Sequence, residues 1–169
     1  MTFQVGEKVV YPNHGVGTVE NISSRSFGTQ QERFYLLRLS PNSLTVMVPF
    51  SHVGDVGLRK VTKSSEINRV LSYLAAGRPC CPPDWKDRFK ENSDKMKGGA
   101  LLEIAEVFKA LVILQLSKSL SFREKKMLER ARSMLILETS IARSVSESEA
   151  IGVIARALGK SGLPMPTAL

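Results

Sequence analysis

The sequence predicts an α+β protein, in which a small N-terminal β-barrel of the SH3/Tudor-like kind is followed by an all-α helical bundle. Three observations lead to this prediction. Residues 1–63 contain short runs rich in Val, Leu, Tyr and Phe, separated by turn residues. After residue 63 the apolar residues recur at helical spacing. Residues 77–83, Gly-Arg-Pro-Cys-Cys-Pro-Pro, form a linker whose three prolines fix the backbone and break the helical pattern.

Four strands are predicted in the N-terminal half, at Lys8–Tyr11, Val16–Ile22, Arg33–Leu39 and Leu44–Val48. Short strands joined by tight turns at intervals of about 8–12 residues are typical of a small open barrel. Pro49 follows the fourth strand. Because proline cannot donate a ladder hydrogen bond, it marks that strand as a candidate edge of the sheet.

Five helices are predicted in the C-terminal half. They begin after a cap at Ser64, after Asp84, at Ala100, after Ser121 and after Ser146, and they end near residues 76, 97, 117, 141 and 159. The third is apolar on most of its circumference, which indicates a central helix. Ser121 and Ser146 each precede a Glu by three residues, the spacing of a capping box. We therefore predict domains at 1–61 and 62–160, with a frayed tail at 161–169.

Composition narrows the classes of function. The chain has 24 Lys and Arg against 16 Asp and Glu, for a net charge of +8 and a pI near 9.7, which favours a polyanionic partner. Residues 85–132 alone carry twelve basic and seven acidic groups, so most of the excess lies in predicted helices. No apolar run approaches the roughly 20 residues of a membrane span. Two adjacent cysteines, Cys80 and Cys81, make no disulfide scaffold, so we expect a cytoplasmic protein.

Catalytic and metal sites find little support. His14 and His52 are the only neutral-pH bases, and both fall in predicted turns without a nucleophile motif beside them. Cys80 and Cys81 lack the gap that lets two thiolates chelate one ion. The glycines after His14 precede a strand and not a helix, so they indicate a turn and not a nucleotide loop. We expect neither a cofactor nor a metal, and we expect that the protein is not an enzyme.

Two basic helices are the more informative feature. Lys86, Lys90 and Lys97 share one face of the second helix with Arg88 to one side, and the fourth helix carries a second basic set. That set has Arg123, Lys126 and Arg130 on one face, with Lys125 and Arg132 beside them. Charge alone leaves two interpretations open, a nucleic-acid surface or a solvated face laced with ion pairs.

Trp85, the only tryptophan, stands at the start of the first basic helix. An aromatic side chain there can project beyond the helix end. Trp85 also shares a helical face with Phe89, Asn92 and Met96, and burial statistics favour a core residue. Its position alone leaves both roles open.

Segments from both halves together resemble the CarD family of bacterial transcription regulators. The segments are FQVGEKVVYPNHGVGTVENI, LTVMVP, VGLRKV, PPDWKDRFKENSDKM and REKKMLERARSML. The resemblance covers roughly residues 1–150, in order and in both halves. The N-terminal half is also similar to the polymerase-interacting domain of the transcription-repair coupling factor.

The resemblance implies a two-domain regulator of RNA polymerase. The barrel would bind the polymerase β subunit, and the helical domain would lie on promoter DNA at the upstream edge of the transcription bubble. A tryptophan that wedges into the minor groove matches Trp85, and basic residues of the family's DNA face match Arg88, Lys90 and Lys125. A polymerase-contacting arginine matches Arg25. Beside these matches, the basic helices add Lys86 and Lys126 as expected DNA contacts.

Two positions depart from the family pattern. Met47 stands where some members have a second polymerase-contacting arginine, and Asp87 stands where some have a basic residue. We expect polymerase contacts from Arg25 and from the edge strand at Val46, Met47 and Val48. The expected partners are the β subunit and promoter DNA, read without a base code, by a monomer that does not bind membranes. The alternative is a polymerase-binding adaptor whose helical domain binds protein instead of DNA. A third interpretation, a hydrolase with His14 or His52 as its base, has little support in the sequence.

Overall fold

A computed structural model describes residues 2–12, 14–39, 43–76, 84–98 and 100–167. The chain divides into two compact units, Met1–Val61 and Thr62–Leu169. The first is built on an antiparallel β-sheet and the second on helices, so the fold class is α+β as predicted. Cys80 and Cys81 lie outside the described residues.

The N-terminal unit is a five-stranded antiparallel sheet. Its strands are β1 (Lys8–Tyr11), β2 (Gly15–Phe27), β3 (Gln30–Leu39), β4 (Leu44–Pro49) and β5 (Arg59–Lys60), in the order β4-β3-β2-β1-β5. A 3₁₀ turn (Phe50–His52) and the short helix α1 (Val53–Val56) connect β4 to β5. The position of β4 at one edge of this sheet confirms the inference drawn from Pro49.

Tyr35 anchors the core of this sheet. Its hydroxyl accepts a hydrogen bond from the Phe3 amide at 3.1 Å, and its ring stacks on Phe50 at a centroid distance of 4.1 Å. Val9, Val19 and other apolar side chains fill the same core. Since the side chains of a strand alternate between faces, every second residue of β3 points into this core and the others point outward.

The hairpin of β2 and β3 is longer than predicted. Its pairing runs on to Phe27 and Gln30, with a bulge between Val19 and Asn21. From Ser24 onward the β2 residues are exposed, so this part lacks the alternation of buried and exposed residues by which a strand is recognised. Backbone pairing and the turn at Gly28, with φ of 63°, extend the hairpin beyond the core.

The C-terminal unit holds helices α2 (Ser64–Ala76), α3 (Trp85–Gly98), α4 (Leu101–Ser117), α5 (Phe122–Arg143) and α6 (Glu147–Lys160). Their bounds agree with the prediction to within two residues at most ends. Helix α4 contacts α2, α3 and α5 and has buried residues on most of its circumference, which confirms its central place. The Ser121 capping box is complete, and Ser146 accepts from the Glu149 amide.

One local expectation about this unit was wrong, because Ser64 is the first helical residue of α2 and not its cap. In the C-terminal tail, the Arg132 Nε donates to the Pro166 carbonyl at 3.0 Å. A cavity of about 470 Å³ lies elsewhere in the unit, between α2, α5 and α6. No described helix is long and apolar enough to cross a membrane.

Candidate functional site

Arg25 and Met47 lie on the same, outer face of the sheet. In the strand register, Arg25 of β2 lies opposite Glu32 of β3, and Met47 of β4 lies opposite Leu36 of β3. Glu32 and Leu36 are four residues apart on β3, so their side chains point to one face, which is opposite to the face of Tyr35. Arg25 is exposed and Met47 is 37% exposed. The two predicted polymerase contacts therefore share a surface.

Val46 and Val48 point the other way. They pair with Leu37 and Tyr35, which are buried in the core, and Val48 is itself only 2% exposed. Alternation along β4 turns these two side chains inward where Met47 faces outward. The edge-strand contact expected at Val46 and Val48 therefore falls to the backbone of β4, whose outer edge is unpaired in the sheet.

The outer face also carries apolar side chains that sequence reasoning did not single out. Phe27 is 61% exposed, and its ring meets that of Phe34 edge to face at 6.3 Å between centroids. Leu36 and Met47 continue this row across β3 and β4. We call Phe27, Phe34, Leu36 and Met47 the outer apolar row. The pairing of β2 with β3 and of β3 with β4 brings these four residues together, so the sequence alone does not predict the row.

Arg88, one of the expected DNA contacts, is buried. Its Nη2 lies 3.3 Å from the Glu124 Oε2, and both side chains are 6% exposed. Helix α3 buries Arg88, Asn92 and Met96, spaced four residues apart. The interpretation of Arg88 as a phosphate contact is therefore wrong for this structure, because Glu124 neutralises the guanidinium inside the unit.

The other expected cations are exposed. Lys86 and Lys90 lie on α3, and Lys125 and Lys126 lie in the first two turns of α5. Because the Arg88–Glu124 pair joins the first turns of α3 and α5, these lysines lie at the same end of the helical unit. We call Lys86, Lys90, Lys125 and Lys126 the basic end.

Trp85 is the first residue of α3, and Asp84 precedes it. The Asp84 carboxylate accepts from the Lys86 amide at 3.0 Å, which fixes the start of the helix. The side chain of Trp85 lies outside the described residues. Its backbone position is at the basic end.

In the C-terminal half of α3, two glutamates form ion pairs with Lys95. Lys95 Nζ lies 2.8 Å from the Glu106 carboxylate of α4 and 3.5 Å from that of Glu91. Burial acts to lower the pKa of Lys95, but the hydrogen bonds and charges of the two glutamates outweigh it, so the pKa is raised above 10.5. Lys95 is therefore engaged within the unit, and Asp87 is exposed beside the basic end.

The histidines form no relay of the hydrolase type. The Ser51 hydroxyl donates to Glu32 at 2.8 Å, whereas the His52 Nδ1 lies 3.5 Å from that hydroxyl. The serine proton is thus directed at the carboxylate and not at the imidazole. His14 packs edge to face on Tyr11. Among the described residues, no group of three or more His, Cys, Asp or Glu side chains could hold a metal ion.

Two family profiles match the chain, one in each half. The CarD-like/TRCF RID domain matches residues 3–62, and the CarD C-terminal domain matches residues 69–155. A protein of Bacillus subtilis (strain 168), named "Putative transcription factor YdeB", is 34% identical over 147 residues. That similarity covers 87% of this chain and 96% of the Bacillus protein.

Two solved structures from Myxococcus xanthus are also similar. The 72-residue N-terminal domain of CarD is 37% identical, covering 35% of this chain and 79% of that one, with a TM-score of 0.31. CdnLNt is 41% identical, covering 36% and 86%, with a TM-score of 0.31. The two family profiles and the Bacillus relative together cover both units in order. The chain therefore belongs to the CarD family, and it is a transcription regulator that interacts with RNA polymerase.

Proposed function

We propose that this protein is a non-enzymatic regulator that binds the β subunit of RNA polymerase and stabilises the promoter open complex. In this proposal the N-terminal unit holds the polymerase. The helical unit contacts DNA at the upstream edge of the bubble. The protein acts as a monomer in the cytoplasm and reaches the nucleoid through the polymerase.

The β-subunit contact rests on the outer face of the sheet. An edge strand offers unpaired backbone groups to a strand of a partner, and flanking side chains then select that partner. β4 supplies the edge, Met47 lies on it, and Arg25 adds a charge on the same face. Met47 joins the outer apolar row, so where an arginine would form a salt bridge, this chain offers apolar contact.

The DNA contact rests on the basic end, and this is the observation that carries the proposal. Its four lysines are exposed and lie beside the N-terminal ends of two helices, where the helix dipoles add positive potential. Such a surface binds phosphates without reading bases. A wedge at Trp85 would unstack one base step at a cost of a few kcal/mol, which contacts to the distorted duplex offset.

The test measures open-complex lifetime with full-length variants. Arg25→Glu is expected to abolish both polymerase pull-down and the increase in lifetime, because it places a like charge where the partner accepts a cation. A variant carrying Lys90→Ala and Lys125→Ala is expected to keep the pull-down and lose most of the increase. Arg156→Glu, an exposed charge reversal on α6, serves as the control and should change neither.

Two results would contradict the proposal. If wild-type protein leaves the lifetime unchanged, the open-complex function is wrong. If the lysine variant retains full effect, the helical unit acts through protein contacts, as an adaptor would.

A further inference from the structure

Phe122 is the most exposed large apolar side chain among the described residues, at 71%. It is the first residue of α5. A single exposed apolar residue is ordinary on a protein surface. What sets Phe122 apart is its surroundings, since the Lys126 Nζ lies over its ring at 4.6 Å from the centroid. Arg123 and Lys125 follow in the same turn, and both are exposed.

The Arg88–Glu124 pair places Phe122 at the basic end. Glu124 is two residues beyond Phe122, and Arg88 is three residues beyond Trp85. The ion pair between the two buried side chains links the first turn of α5 to the first turn of α3. Two aromatic residues, Trp85 and Phe122, therefore begin neighbouring helices at one end of the unit.

We propose that Phe122 is a second aromatic contact with DNA, which stacks on an unpaired base while Lys126 and Lys125 hold the adjacent phosphates. The inference rests on the proposed DNA binding. Proteins that bind single strands combine a basic surface with aromatic rings, because every base has a face that can stack. The Lys126 ammonium covers one face of the ring, and the high exposure of Phe122 leaves the opposite face for a base. A phosphate drawn to that ammonium brings its nucleotide next to the ring. A proline-rich or apolar peptide would not need the surrounding cations, so the charge favours DNA.

The experiment compares two DNA probes of equal length, a fully paired duplex and a fork with an unpaired arm. Affinity is measured with full-length protein by fluorescence anisotropy at fixed salt. Phe122→Ala is expected to weaken fork binding about 5- to 150-fold, the effect of losing one stacked base. Duplex binding should fall less than 2-fold, because a paired base offers no free face. Phe122→Leu keeps an apolar side chain and should lose fork affinity as Phe122→Ala does.

Val5→Ala is the control. Val5 is also largely exposed, at 59%, but lies in the N-terminal unit and outside the outer apolar row, so its truncation should leave both DNA affinities unchanged. Thermal unfolding should show unchanged stability for Phe122→Ala, since the ring is largely in solvent. A large loss of stability would instead make Phe122 a folding residue and overturn the proposal.

The remaining outcomes separate this inference from the DNA-binding function itself. If Lys90→Ala and Lys125→Ala weaken fork binding and Phe122→Ala does not, the aromatic contact is wrong and DNA binding stands. Full affinity in Phe122→Leu, or an equal loss on both probes, would also overturn stacking. If wild-type protein binds neither probe, both proposals fail.

Discussion

Arg88 and Glu124 form a buried ion pair that joins α3 to the start of α5. The guanidinium Nε and Nη2 both donate to the Glu124 Oε2, at 3.4 and 3.3 Å. The other oxygen of the same carboxylate accepts from the Ser121 amide in the capping box. One side chain thus caps a helix and pairs with another helix, so the geometry of the basic end depends on it.

Breaking this pair should lower the stability of the protein, because Arg88 is buried in the helical unit. Arg88→Met leaves a buried carboxylate without its cation, which costs about 3–5 kcal/mol. Denaturant unfolding of the full chain measures the loss. Adding Glu124→Gln should recover part of it, because a neutral amide is cheaper to bury and can still accept in the cap. An Arg88→Met variant of unchanged stability would show that the pair contributes nothing.

The exposed lysines should behave in the opposite way. If about four or five phosphates are contacted, log K for DNA falls with log salt at a slope of roughly −4. Lys90→Ala and Lys125→Ala should each reduce that slope by about one, on unrelated sequences alike, with stability unchanged. Lys8→Ala, an exposed lysine of β1, is the control and should leave the slope as it is. A wild-type slope near zero would favour the adaptor.

Trp85→Ala distinguishes a wedge from a core residue. As a wedge, its loss should leave the melting temperature nearly unchanged and make open complexes collapse faster, while closed-complex binding is kept. As a core residue, its loss should cost about 3–5 kcal/mol. Phe108→Ala, which empties a fully buried site on α4, gives the scale of a true core loss. An unchanged lifetime in a folded Trp85→Ala protein would refute the wedge.

Lys95 should make stability fall at high pH. Its pKa is raised in the folded state, so its contribution is fully present below 10.5 and is lost as pH rises through the folded value. The difference in melting temperature between wild type and Lys95→Met should be constant from about pH 7 to 9 and shrink above about pH 10.5. Lys97→Met, an exposed lysine on the same helix, should show no such difference. A difference that persists unchanged at pH 11.5 would contradict the assignment.

Much of the helical unit followed from the sequence because its signals are local. The Ser121 cap lies three residues from Glu124, and apolar residues of α4 recur within one turn. Such signals act between neighbours in the chain and need no knowledge of the fold. The strand β1 was predicted residue for residue for the same reason, since turns bound it on both sides.

The functional surfaces could be predicted from the sequence only in part. Arg25 and Met47 were identified from the family resemblance, but the outer apolar row depends on how β2, β3 and β4 are paired. In the sequence, Phe122 is one residue of the Ser121 capping motif, and nothing in that motif indicates that its side chain is exposed. Its exposure and its contact with Lys126 became visible only with the helices in place.

The sequence by itself determined the α+β class, the order of the helices and strands, the edge position of β4 and the family. Tertiary structure decided which side chains a partner can reach. Arg88 and Lys90 are two residues apart on one helix and look alike in the sequence, yet Arg88 is buried against Glu124 and Lys90 is exposed. Whether a cation is neutralised inside the protein or left for a partner depends on a carboxylate 36 residues away. Periodicity reports the local backbone, but contacts between distant segments arise from packing, so no local pattern encodes them.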